Sequence, residues 1–457
     1  MIKRYYATKD NTITNAFRES FATSGSDANM GASDILEVFS IYGQVLDEND
    51  AYSLEEARIL IEFDIAQITA DIAAGTLDDG AQFYLRLFNA EHGRTLPMNF
   101  ELEIDTITAA WEEGTGLDME SYMDLTYNKG SSWKEKGAGA TWTLEGGDFT
   151  GSPATAEFDE GYEDLLVNIT TFVNAWLADP ATNYGLIVKL PATATAQSRS
   201  YYTKMFYARG TSNFFKKPVI EARWDSQKTD HRKSFLSNVS NNIYLYNEVR
   251  GQLTNLAAPV TVAFYEELGG TEITSTTTVT NPETGVYEAS TTLTTAASTI
   301  YDVWSSDETE VVTGSITVLS QAPSGIPSVS DLVVSTLNNQ DVHSAGQTSR
   351  FYFYIREKNW SPNIHTVAST RPDSKVYDNL KFKISKVVTD EAIFDYNMTD
   401  GSTTLSYDSN GNFFDLDNSL LEPNYVYEIK LALFNVMTKS YQELPFKHRF
   451  RVVNNEY

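Results

Sequence analysis

Apolar residues recur along this chain at every second position in short runs, and turn-forming clusters separate the runs. In Arg58-Ile-Leu-Ile-Glu-Phe-Asp64, Ile59, Ile61 and Phe63 share one face, and Arg58, Leu60, Glu62 and Asp64 share the other. In Gln82-Phe-Tyr-Leu-Arg-Leu-Phe88, Phe83, Leu85 and Leu87 alternate with Tyr84, Arg86 and Phe88, which predicts a central strand under cover. Further strands are predicted over 4–14, 35–42, 164–170, 185–190, 200–208 and 218–224. A short helix is predicted over 171–177, capped by Thr170 or Thr171 and stopped at Asp179-Pro180. Polar or Gly-rich stretches separate them: Asp27-Ala-Asn-Met-Gly-Ala-Ser33, an acidic loop Asp47-Glu-Asn-Asp50, and a long Gly- and Ser-rich insertion over 114–155.

The same rhythm continues beyond residue 225. Residues 226–242 are polar and of mixed charge, and are expected to be a linker or a short helix. Over 243–322 come Ile243–Tyr246, Val260–Tyr265, a Thr-rich stretch from Thr271 to Thr280, the turn Asn281-Pro-Glu-Thr-Gly285, Thr299–Trp304 and Ser315–Leu319. Short strands at regular spacing with turns between them predict an immunoglobulin-like sandwich. Gln321-Ala-Pro-Ser-Gly-Ile-Pro327 marks a boundary, since Pro and Gly punctuate regular structure. Residues 328–457 hold another set of strands, over 351–356, 381–385, 393–396, 424–434 and 446–452, with a hairpin turn at Ser409-Asn-Gly-Asn412. The fold class expected is therefore all-β. A jelly-roll-like sandwich over 1–225 is followed by two immunoglobulin-like sandwiches over 243–322 and 328–457.

Composition narrows the functions open to such a chain. Of 457 residues, 41% are hydrophobic, enough for sizeable cores. There are 26 Tyr and 24 Phe, residues that suit half-buried strands and interfaces. With 34 Lys and Arg against 62 Asp and Glu, the net charge is −28. That charge argues against nucleic acid and anionic membrane surfaces as partners. No cysteine is present, which excludes disulfides, zinc-thiolate sites and a cysteine nucleophile. No apolar run approaches the roughly 20 residues needed to cross a bilayer, and the first 20 residues have no apolar signal core.

Little catalytic chemistry is visible. His92, His231, His343, His365 and His448 make no zinc-hydrolase spacing, and no Gly-x-Ser-x-Gly elbow or phosphate-binding glycine pattern occurs. Acid pairs such as Glu112-Glu113 and Asp78-Asp79 are expected by chance among so many carboxylates. Asp408-Ser-Asn-Gly-Asn412 with Asp415 and Asp417 superficially matches a calcium loop, but its glycine falls too early for an EF-hand and no helices flank it. A hairpin is the better reading. Calcium on these carboxylates, or on Asp47, Glu48 and Asp50, is a weak alternative, and no other cofactor is expected. Trp176 lies in an apolar pattern and belongs to a core. Trp133 and Trp142 lie in the Gly-rich insertion, and are the candidates for exposed contact with a glycan or a partner.

Several landmarks over 1–225 resemble the DNRLRE domain family of surface and wall-associated proteins. They are Lys9-Asp10, Ala57-Arg-Ile-Leu-Ile-Glu-Phe-Asp64, Thr106-Ile-Thr-Ala-Ala-Trp111, Asn168–Trp176 followed by Asn183-Tyr-Gly-Leu186, and Ser200–Tyr207 leading to Pro218-Val-Ile-Glu221. The resemblance covers about half the chain and implies a jelly-roll-like sandwich for binding or scaffolding, with no catalytic residues to carry over. The missing signal core and the expanded 114–155 stretch depart from that family. Lys9-Asp-Asn-Thr-Ile-Thr-Asn-Ala-Phe17 and Met30–Gln44 are also similar to virion structural proteins of marine tailed bacteriophages. Together these imply a non-enzymatic virion component of the neck, tail or capsid surface. It would assemble in the host cytoplasm with other virion proteins, as repeated copies in a symmetric arrangement. A glycan-binding adhesion or receptor-recognition module is the alternative.

Overall fold

The structure, a computed structural model, describes residues 1–17, 24–46, 52–93, 96–117, 130–196, 200–320, 331–338, 340–358, 374–397, 399–435 and 439–454. Its regular structure is overwhelmingly strand, so the chain is all-β. It divides into two compact units, Ile2–Arg223 and Trp224–Tyr457, with Met1 belonging to the second. The acidic loop Asp47–Asp50, the boundary 321–327 and His365 fall outside the described residues.

The first unit contains β1 (Ile2–Thr14), β2 (Ile35–Leu46), β3 (Tyr52–Phe63), β4 (Gln82–Leu87), β5 (Phe100–Thr106), β6 (Glu135–Gly137), β7 (Ala140–Thr141), β8 (Ala154–Phe158), β9 (Leu165–Asn168), β10 (Leu186–Lys189), β11 (Tyr201–Tyr207) and β12 (Val219–Arg223). Neighbours run β8-β5-β10-β3-β1-β12-β4-β9, with β2 joining β3 to β11, and every pairing is antiparallel. β1 changes partner along its length. Ile2–Tyr6 pair with β12, and Ala7–Thr14 pair with β3, across a register shift between Ala7 and Lys9. One strand thus belongs to both layers of the sandwich.

β3 is buried on both faces, since Ile59, Leu60 and Ile61 are all fully buried. Leu60 lies opposite Asn11 of β1 and Ile187 of β10, and this row is covered by the Gly-rich insertion. Two helices flank the sheets. α1 (Ala66–Ala73) buries Ile68 and Asp71, and Tyr5 donates to the Asp71 carboxylate at 2.7 Å. α2 (Thr170–Ala178) buries Val173 and Trp176. Its N-cap is Ile169, not Thr170 or Thr171. The Thr170 hydroxyl instead accepts the Phe83 N–H at 2.9 Å, which ties the helix to β4.

The second unit holds two sandwiches. In the first, the order Phe235–Leu236, Thr309–Leu319, Thr299–Ser306, Val260–Tyr265 makes one sheet, and Asn241–Tyr246, Val286–Leu293, Ser275–Glu283 makes the other. Between them Phe235, Ile243, Phe264, Ile300, Trp304 and Ile316 are fully buried. In the second sandwich, Leu332–Thr336, Thr348–Glu357, Gly411–Asp417 and Ser406–Asp408 face a six-stranded sheet built on Val426–Asn435. Its core is aromatic, with Phe382 and Phe414 stacked at 4.0 Å. The hairpin joining Ser406–Asp408 to Gly411–Asp417 turns at Ser409-Asn410, and Asp408 accepts the Asn410 N–H at 2.7 Å.

Residues 226–242 contain a three-residue 3-10 turn, His231–Lys233, the short strand Phe235–Leu236 and the start of Asn241–Tyr246, and are otherwise irregular. They strap the two sandwiches together. Gln227 donates to the carbonyls of Asp378 and Leu405, Tyr407 N–H donates to Lys228 O, and Asp230 N–H donates to Tyr407 O. His231 accepts the Asn242 N–H on Nδ1, so its neutral ring carries the proton on Nε2, 3.2 Å from the Tyr407 hydroxyl. Arg232 anchors the strap with ion pairs to Asp230 at 2.7 Å and Asp302 at 2.6 Å, and donates to Tyr244 O. Asp302 is fully buried and also accepts Trp304 Nε1–H at 2.8 Å. Removing one partner of a buried ion pair typically costs about 3–5 kcal/mol, because the other charge stays buried and unpaired. Arg232→Ala is therefore expected to lower the unfolding free energy of this unit by roughly that amount, measured by denaturant titration. Lys358→Ala, at an exposed lysine of the same unit, serves as the control.

Candidate functional site

The two tryptophans expected at an exposed surface are core residues. Trp133 and Trp142 are 6% and 5% exposed, and pack with Ile13, Leu60, Ile107, Trp111 and Ile187. The Arg58 guanidinium lies 4.7 Å from the centre of the Trp133 ring and donates to Gly146 O at 2.8 Å. Trp142 Nε1–H donates to Ser132 O, and Trp111 Nε1–H to Tyr184 O, each at 2.9 Å. Neither Trp133 nor Trp142 offers a ring face to a sugar. The reason is that the insertion folds back over β1, β3 and β10, whose outer face carries Ile13, Leu60 and Ile187. Its tryptophans seal that apolar face from water.

A polar knot holds the insertion down. Asn29 Nδ2 donates to Glu113 O at 2.7 Å and Ser131 O at 2.8 Å, and its Oδ1 accepts the N–H groups of Gly31 and Gly116. A Cβ at Gly114, Gly116 or Gly130 would run into Asn29, so the close approach requires glycine at these positions. Asn11 of β1 donates to Ser131 and accepts Met30 N–H. Arg209 grips the Glu113 carboxylate through both oxygens, at 2.7 and 2.8 Å. Asp10, 2% exposed, accepts the Arg209 N–H, and burial raises its carboxyl to about 6 against that hydrogen bond.

Another buried charge cluster ties β1, β4 and β12 together. Glu221, 1% exposed, accepts Arg4 Nε–H at 2.9 Å, Arg86 at 3.1 Å and Arg223 at 2.6 Å. These arginines outweigh its desolvation and hold its carboxyl well below the usual range. Of the residues named for calcium, Asp408, Asp415 and Asp417 are otherwise engaged. Asp408 accepts Tyr352 OH and backbone N–H groups, Asp415 pairs with Arg350 at 2.7 Å, and Asp417 caps a 3-10 turn. Among the described residues no group of three or more His, Asp or Glu could hold a metal ion.

A site with room for a ligand lies elsewhere in the first unit. A cleft of about 390 Å³ is lined by Asn99, Phe100, Glu101, Glu157, Phe158, Asp159, Pro191, Thr193, Ala194 and Tyr202. Phe100 and Phe158, paired across β5 and β8, stack at 5.1 Å, and Tyr202 of β11 lies 5.7 Å from Phe100. Glu101 and Glu157 are exposed and directly opposite one another. Like charges in that register are destabilising, and among the described residues no Lys or Arg pairs with either. The neighbouring Glu103 is neutralised by Lys189. Phe100 and Phe158 are buried and, by alternation, point to the opposite face of their strands from Glu101 and Glu157, so the half-buried Tyr202 is the aromatic ring that borders the cleft with room for a hydroxyl-rich group. Among the described residues no histidine lines the cleft. Alternation in Phe100-Glu-Leu-Glu-Ile-Asp-Thr106 and Ala154-Thr-Ala-Glu-Phe158 is the sequence signal that marks these two strands.

No protein-family profile matches the chain, and no curated protein matches it. Solved structures that align include domains 5–6 of the S-layer protein SbsC, at 13% identity and a TM-score of 0.23, covering 51% of this chain and 96% of that one. The Yersinia pseudotuberculosis adhesin InvE aligns at 18% identity and a TM-score of 0.15, over 47% of this chain and 56% of that one. Invasin, a bacterial integrin-binding protein, aligns at 9% identity and a TM-score of 0.17, over 92% of this chain and 60% of that one. Similarity at this level bears on no conclusion below.

Two predictions follow from the knot. Asn29→Ala removes four hydrogen bonds and is expected to destabilise the first unit by about 2–6 kcal/mol, at a net 0.5–1.5 each, read by chemical denaturation. For Asp10, the folded pKa near 6 exceeds the unfolded value of 3.8. Its contribution is complete below pH 4 and lost as pH rises through 6. Asp10→Asn is expected to remove roughly 2–3 kcal/mol of that pH-dependent loss, seen as a flatter stability profile between pH 4 and 7.

Proposed function

We propose that the chain is a non-enzymatic structural subunit of a virion, an assembly or decoration component of the neck or tail of a tailed bacteriophage. In this reading the first unit is a DNRLRE-like sandwich that anchors or decorates, and the two sandwiches of the second unit extend the same role. The observation that carries the structural part is how the buried and half-buried polar groups are used. Asn29, Asp10, Glu113, Glu221, Asp302 and Arg232 are each held by partners that lock a loop or strand in place. A chain whose task is to present a fixed surface to neighbours needs that rigidity. The acidic, cysteine-free composition fits a particle assembled in a reducing cytoplasm. Other virion proteins are the partners, and a stable interface would bury on the order of 1,600 Å².

Mass spectrometry of purified particles tests this. The chain is expected in fixed stoichiometry with other structural proteins, and its absence from every particle fraction would sink the proposal.

The cleft favours a second reading, a glycan-binding module. On that reading a polysaccharide array gives a specific hit, and Tyr202→Ala weakens it at least tenfold without changing the unfolding midpoint. Binding that survives Tyr202→Ala would move the glycan away from the cleft.

A further inference from the structure

Ser275–Glu283 is an edge strand, bonded to Val286–Leu293 on one side only. At nine residues it is the longest edge strand among those described. A free strand edge presents a row of unpaired N–H and C=O groups, which folded proteins usually protect with lysine, proline, a bulge or a covering segment. The far edge of the same sheet shows such protection. There His231 Nδ1 takes the Asn242 N–H, and Arg232 takes Tyr244 O. On Ser275–Glu283 the protection is confined to one end, where Pro282 sits beside a register shift between Thr280 and Glu283. From Ser275 to Thr280 no residue is charged, and no hydrogen bond to the outer edge occurs among the described residues.

We propose that this edge pairs with the same edge of a second copy, antiparallel about a two-fold axis at Thr278. The segment is its own complement. Pairing about Thr278 sets Thr276 against Thr280, Thr277 against Val279, and Thr278 against itself. The outward residues Thr276, Thr278 and Thr280 are exposed, and Thr277 and Val279 are half-buried toward the core. Threonine pairs across antiparallel strands are favourable, and the β-branched run holds the extended backbone that pairing requires. Charge selects the partner. At −28, most contacts between two copies bring carboxylates together. Along its own segment of chain the nearest glutamates, Glu272 and Glu283, lie at the ends of this stretch, and Glu288, opposite Thr280 on the neighbouring strand, is engaged by Tyr244. Six residues a side bury far less than a standard interface, so the contact is weak alone. It becomes substantial where copies are already held close, through effective concentration. The inference deepens the assembly reading above by naming one contact between copies.

The absence of cysteine gives a direct test. Thr278→Cys is expected to form a disulfide-linked dimer under mild oxidation at least tenfold faster than Thr261→Cys, an exposed threonine on the other sheet of the same sandwich. Sedimentation velocity of the full chain should show a reversible dimer with rising concentration. Thr278→Lys, which sets two ammonium groups against each other on the axis, should abolish it with no loss of thermal stability. Equal cross-linking of the two cysteine variants, or a dimer indifferent to Thr278→Lys, would overturn the proposal. A chain that stays monomeric yet is found in particles would sink this contact and leave the structural reading standing.

Discussion

The first unit depends on one strand belonging to two sheets. β1 bonds to β12 for its first five residues and to β3 for the rest, so the layers are joined by covalent chain as well as by packing. The strand also carries an anchor for almost every other part of the unit. Arg4 reaches the Glu221 cluster, Tyr5 holds helix α1 through Asp71, and Asp10 and Asn11 hold the insertion and the loop around Asn29. Ile13 enters the tryptophan cluster. A slip of one residue in β1 would turn all of these to the wrong face, because side chains alternate with a period of two. The buried polar side chains therefore specify register, and the apolar ones supply most of the driving force.

That division of labour explains what the sequence showed and what it hid. Strands with apolar alternation were legible: β3, β4, Val260–Tyr265 and the aromatic run Phe351–Ile355 all lie where their patterns put them. The hairpin near Ser409-Asn-Gly-Asn412 was legible as a turn, but its loop is Ser409-Asn410, and Gly411 already belongs to the strand. β1 was recognised as a strand but not as a central one, since Lys9-Asp-Asn-Thr-Ile-Thr14 looks like an exposed edge. Asp10, Asn11, Thr12 and Thr14 are in fact all at most 2% exposed. Their partners, at Arg209, Ser131, Glu37 and Glu56, are 25 to 199 residues away. No local pattern carries such pairings.

The insertion misled for a related reason. Glycine and serine usually signal exposed loops, and the tryptophans among them therefore looked like surface residues. Here the glycines let backbone close around Asn29, and Ser131 supplies its carbonyl to both Asn11 and Asn29. The tryptophans fill the apolar row beneath. Helix α1 was missed because Ala66-Gln-Ile-Thr-Ala-Asp-Ile-Ala73 offers only a narrow apolar stripe, and one of its two buried residues is an aspartate. The cleft depends on β5, β8 and β11 meeting, and only their separate alternations were visible.

The two units use buried charge in the same way. Glu221 under three arginines and Asp302 under Arg232 are costly to desolvate, and such clusters are seldom more stable than apolar packing of equal volume. What they gain is a single arrangement, since a carboxylate gripped from several strands tolerates no neighbouring register. In the second unit that demand falls on the strap, where Arg232 reads Asp230, Asp302 and Tyr244 at once. Glu221 and Asp302 face inward among strands, and what each of them holds in place is the arrangement of the elements around it.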